Sequence, residues 1–98
     1  MLFFISWKPR IAGGAAEQEA GLEVFGRWQP PAGVKFQGMW TRADGGGFGI
    51  ADVQSSEALL EAMAPWAGTY LDFESCPIVE IQRGVEIVQT GIRFRKGG

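Results

Sequence analysis

Two kinds of hydrophobic spacing alternate along this chain, and their order restricts the fold more than any single motif does. Leu2-Phe3-Phe4-Ile5-Ser6-Trp7 carries large apolar groups at both parities, the pattern of a strand buried on both faces. From about Ala15 to Trp28 the spacing turns helical. Leu22, Phe25 and Trp28 share one side there, Glu17, Glu19 and Glu23 lie elsewhere, and Glu23 is placed to pair with Arg27. Gly21 and Gly26 each weaken such a helix by roughly 1 kcal/mol relative to Ala, so packing must hold it. Pro30-Pro31 ends it. Val34–Arg42 then alternates, with Val34, Phe36 and Trp40 on one face and Lys35, Gln37 and Thr41 on the other. Ala43–Gly47 reads as a glycine-rich hairpin loop, and Phe48–Gln54 is again apolar at both parities. Ser55 or Ser56 caps a short helix bearing Leu59, Leu60 and Met63, which stops near Pro65. Tyr70–Cys76 sets Leu71 and Phe73 against Asp72, Glu74 and Cys76.

The order is β-α-β-β-α-β, the split βαβ arrangement of ferredoxin-like α+β sandwiches. Strands one and three are two-sided and strands two and four one-sided. An antiparallel four-stranded sheet ordered 4-1-3-2 puts the two-sided strands in the middle, so burial pattern and element order agree. After Pro77 two readings stand. Ile81, Val85, Val88 and Ile92 recur at helical steps of four, three and four, whereas the β-branched content and Gln82-Arg83-Gly84 suit a hairpin. Periodicity favours the helix. We therefore expect one domain, residues 1–77 forming the sandwich and 78–98 a helical extension of it.

Composition removes several classes of function. The 98 residues suffice for a single core, and 46% hydrophobic with 20% charged content is that of a globular chain. A net charge of −2 without a basic stripe argues against nucleic acid. No run is long enough to span a membrane, and the apolar start lacks the features of a secretion signal. One cysteine, Cys76, excludes an internal disulfide and suits the cytoplasm. No histidine and a single cysteine leave zinc, haem and iron–sulfur centres without ligands, so neither a metal nor another cofactor is expected.

Two groups of residues are candidates for chemistry. Asp72 and Glu74, two apart on a strand, leave the same face roughly 7 Å apart and suit a general base. Lys35, Thr41 and Cys76 are expected on the same face, from the opposite edge or the strand end. The plainer alternative is a solvated strand edge. Arg27 is a candidate anion contact, and Trp28, Trp40 and Trp66 are candidate walls of an aromatic pocket, against the plainer reading of core packing. Gly45-Gly46-Gly47 lacks the Gly-Lys-Ser/Thr ending and the helix that a phosphate loop requires.

Several stretches resemble a bacterial family catalogued as domain of unknown function 3303. They are Met1-Leu2-Phe3-Phe4, Gly26-Arg27-Trp28, Pro30-Pro31-Ala32-Gly33-Val34-Lys35, Trp40, Ala43-Asp44-Gly45-Gly46-Gly47-Phe48, Pro65-Trp66, and Leu71-Asp72-Phe73-Glu74 with Pro77. The resemblance implies a dimeric α/β barrel and a C-terminal helix, and it supplies no catalytic residues.

Two helices cover only one face of four strands. Each large side chain left wet on the other face forgoes roughly 1.5–3 kcal/mol. The expected partner is therefore a second copy of the chain meeting it through the open sheet face. The rival is a C-terminal segment folded over that face. The function expected is a cytoplasmic homodimer holding a small apolar or aromatic ligand inside the barrel. A cofactor-independent monooxygenase or isomerase and a ligand-free protein-interaction module are the alternatives, and the balance leans away from an enzyme.

Overall fold

The computed structural model describes residues 1–10, 14–67 and 71–97. Four strands and three helices follow one another as β1 (Leu2–Pro9), α1 (Ala15–Arg27), β2 (Val34–Thr41), β3 (Gly47–Val53), α2 (Ser56–Met63), β4 (Leu71–Pro77) and α3 (Ile81–Arg95), with a 3-10 turn at Ala64–Trp66. The sheet runs β2-β3-β1-β4, antiparallel throughout, so the two-sided strands are central as their composition requires. This is a ferredoxin-like α+β fold. Tyr70, Ala12 and Gly13, which the sequence assigned to β4 and to the lead into α1, lie outside the described residues.

Local chemistry explains the element boundaries. Ser55 is the cap of α2, its Oγ accepting from the Ala58 N–H at 3.1 Å. The Glu17 carboxylate accepts from the Gly14 N–H at 3.0 Å at the start of α1. In the β2–β3 hairpin Gly45 takes φ of +89°, which side chains disfavour, and the Asp44 carboxylate accepts from Gly46 N–H at 3.0 Å. The expected Glu23–Arg27 pair forms at 3.8 Å on the exposed side of α1.

The buried core is small. Ile5, Val34, Ala51, Val53, Ala58 and Ala62 lie between the sheet and α2, with Phe3, Trp7, Trp28, Phe36, Leu59, Met63 and Phe73 packed around them. Two expectations fail here. A bulge between Phe36 and Gly38 adds one residue to β2 and reverses the facing of everything after it. Trp40 therefore stands opposite Phe48 on the open face rather than beside Val34 and Phe36. Leu22 and Phe25 of α1 are more than half exposed, and the residue that α1 buries is Gly21. Trp28 follows the helix as its C-cap, in extended conformation.

The segment after Pro77 is helical. Glu80 caps α3, its carboxylate accepting from the N–H groups of Gln82 and Arg83. No residue of α3 is buried. The helix leaves the open face of its own sheet uncovered and projects from the body, giving a molecule 57 × 31 × 20 Å.

A candidate aromatic cavity between helix and sheet

The helix-covered face of the sheet carries a connected series of rings. Phe36 meets Trp28 edge-on at 5.7 Å, Trp28 meets Trp66 at 5.8 Å, Trp66 meets Phe73 at 5.5 Å, and Phe73 meets Trp7 at 5.8 Å. Each ring arrives from a different element: β2, the loop after α1, the 3-10 turn, β4 and β1. The Trp28 indole N–H donates to the Ala62 carbonyl at 3.2 Å, which fixes its ring against α2. Trp66 is almost fully buried.

These rings border a cavity of about 390 Å³ between α1 and the sheet. Gly21, Leu22 and Phe25 line it from the helix, and Ile5, Met39, Thr41, Met63 and Leu71 complete the wall. Gly21, the buried residue of α1, lines it without a side chain. Among the described residues that line it there is no Asp, Glu, Lys, Arg or Cys, and the one hydroxyl is that of Thr41. The site is apolar and open on the side of Leu22 and Phe25, and can stack a flat apolar molecule. Its wall offers no side chain for proton transfer near neutral pH.

Of the residues singled out from the sequence, Trp28 and Trp66 come together in this wall. Trp40 also borders the cavity, but its ring stacks on Phe48 at 5.1 Å on the opposite face of the sheet. Arg27 is exposed, beside Glu23, and does not line the cavity. Asp72 and Glu74 do share a face, the open one, because Leu71 and Phe73 take the cavity side of β4. Asp72 is held by Arg10 at 2.8 Å and stands opposite Lys8. The two carboxylates border a depression of only about 120 Å³ with Ser6, Lys8 and Arg42. Thr41, expected on their face, is turned into the cavity by the β2 bulge. Among the described residues no three Cys, Asp or Glu side chains are grouped to hold a metal ion.

Phe25, Phe36, Phe73 and Trp7 were missed as a wall. Their spacing gave the signal, since Trp7, Phe36 and Phe73 sit at strand positions of the parity that faces the helices and Phe25 on the apolar side of α1, but nothing in the sequence sets how far α1 stands from the sheet.

The comparisons with known proteins bear on the family. The model of a family described as a domain of unknown function (DUF3303) matches residues 1–92. The chain belongs to this family. The crystal structure of SCO4226 from Streptomyces coelicolor A3(2) is similar at 18% identity and a TM-score of 0.41, covering 80% of this DUF3303 chain and 99% of that one. No curated protein matches. Among the described residues no helix is long and apolar enough to cross a membrane.

Proposed function

We propose that this DUF3303 protein is a binding module, a cytoplasmic homodimer in which each subunit holds a small, largely apolar molecule of aromatic character. The observation that carries the reading is the 390 Å³ cavity, walled by Trp7, Trp28, Trp66, Phe36 and Phe73 and lined, among the described residues, by no Asp, Glu, Lys, Arg or Cys. Its volume lies at the lower end of the range of roughly 300–1,000 Å³ typical of small-molecule sites. The ligand position proposed here is between helix and sheet, on the side away from where two open faces would close a barrel. Catalysis by Asp72 or Glu74 is a poorer fit, because both leave the other face of the sheet.

The homodimer reading draws on the open face, where Phe4 and Trp40 flank Phe48 at 5.7 and 5.1 Å and Ile50 lies alongside. An apolar patch of this kind on a sheet is usually covered. The cytoplasmic placement draws on the single unpaired Cys76.

Indole serves as the probe for the cavity. Saturation-transfer NMR is expected to detect indole on the wild-type protein at millimolar concentration or below. Gly21→Leu adds a side chain to the cavity wall and should weaken indole binding at least tenfold, with a thermal melt as the check that the variant is folded. An absence of indole binding to the wild type, or equal binding to Gly21→Leu, removes the ligand reading.

A further inference from the structure

We propose that α3 is an exchanged arm, its stripe of Ile81, Val85, Val88 and Ile92 docking on a second copy of this chain. The inference rests on the homodimer reading and adds to it a second, separate contact.

The chain exposes too much surface for a self-sufficient monomer. Its accessible surface is 7211 Å², whereas a folded monomer of 10.6 kDa exposes about 5,500 Å². The excess of about 1,700 Å² falls within the roughly 1,000–2,500 Å² that each partner buries in an obligate dimer. The radius of gyration tells the same story, 17.0 Å against about 13 Å for a compact chain of this length. Both excesses have an evident source in α3, whose 15 residues extend about 22 Å without burying a side chain.

The arm is built for packing rather than for solvent. Its four stripe residues are all β-branched and fall at alternating steps of three and four, the a and d positions of a two-stranded seam. They remain exposed, Ile81 at 75% and Val88 at 62%. The root of the arm is fixed, because the Ile78 N–H donates to the Leu2 carbonyl at 2.9 Å and Glu80 caps the first turn. A helix anchored in this way and pointing off the body cannot reach its own open sheet face. A lipid surface is a poorer occupant. Arg83 is paired with Glu86 at 3.1 Å, and the remaining basic residues gather at the last turn, where they complement the helix dipole instead of forming a basic side.

The test is light scattering on the full chain at about 50 μM, with far-UV circular dichroism as the folding check. Wild type is expected at twice the 10.6 kDa chain mass. Val85→Glu combined with Val88→Glu should give monomer, or a dimer at least tenfold weaker, with the sheet signal unchanged because no residue of α3 is buried in its own subunit. Thr90→Glu, opposite the stripe, should stay dimeric. If the double variant dimerises like wild type while Ile50→Glu on the sheet face does not, the arm proposal falls and the sheet-face dimer stands. A monomeric wild type removes both. A monomer that co-sediments with phosphatidylglycerol vesicles reassigns the stripe to lipid and also overturns the proposal.

Discussion

The two faces of this sheet are made of similar residues and end in different states. On one side Ile5, Ala51 and Val53 are sealed under α2 while a series of aromatics borders an open cavity under α1. On the other, Phe4, Phe48, Ile50 and Trp40 form an apolar strip that no helix among the described residues covers. Residue type alone does not separate them. The difference lies in helix supply, since β1 and β3 are apolar at both parities and the two helices of the sandwich reach only one of the resulting faces.

Paired truncations test that contrast most severely. Ile5 is fully buried, and Ile5→Ala should destabilise the protein by about 3 kcal/mol, within the range for emptied core sites. Ile50→Ala, one strand away on the open face, should cost a folded subunit about 1 kcal/mol or less. Its larger effect should fall on subunit association and shrink as protein concentration rises. Chemical denaturation at two protein concentrations separates the two. Equal, concentration-independent losses at both sites would mean the faces do not differ in the way described.

Two glycines sharpen the same comparison on a smaller scale. A Cβ on Gly47 would meet the Trp7 ring at 2.5 Å and the Trp40 carbonyl at 2.6 Å, inside the closed face. A Cβ on Gly38 would meet only the outer edge of the Trp40 ring, at 2.6 Å, on the open one. Gly47→Ala has to move backbone and should cost about 2 kcal/mol or more, an overpacking penalty. Gly38→Ala can push aside a half-exposed indole and should cost under about 1 kcal/mol, with a shift in tryptophan emission as the Trp40–Phe48 stack opens. Thermal melts with fluorescence detection would show the order; a reversed order would place the rigid face on the wrong side.

Much of this contrast was legible in the residues. The two-sided and one-sided strands gave the sheet order, Pro30-Pro31 and Pro65 marked the helix ends, and the four-three-four step of Ile81 to Ile92 foretold α3. The facing of Trp40 was not legible. Val34 to Gln37 alternates cleanly and Met39-Trp40 breaks the pattern, but two adjacent apolar residues do not say which of them changes face, and the added residue of a bulge decides it. The cavity was half legible. Trp28 and Trp66 could be named as aromatic, but their meeting across 38 positions depends on the turn at Ala64–Trp66. Leu22 and Phe25 carry the spacing of a buried helix face, yet the helix rests over a space rather than on the sheet, and periodicity does not encode that distance.

The carboxylates on β4 give the smallest expected effect and the clearest division of roles between the faces. Asp72 and Arg10 are each about half exposed, so their 2.8 Å pair is largely screened by solvent. Exposed pairs of this kind contribute roughly 0–1 kcal/mol. Asp72→Asn should therefore lower stability by under about 1 kcal/mol, an effect that fades further in high salt. It should leave indole affinity unchanged, because the side chain stands across the sheet from the rings of Trp28 and Trp66. Trp28→Phe is the matching change on the other face: it removes the hydrogen bond to the Ala62 carbonyl, costs about 1 kcal/mol, and loosens the wall against which a ligand stacks. Titrating both variants with indole divides the two faces by function. A loss of affinity in Asp72→Asn would draw the carboxylates into the binding site and return β4 to consideration as the source of a catalytic base.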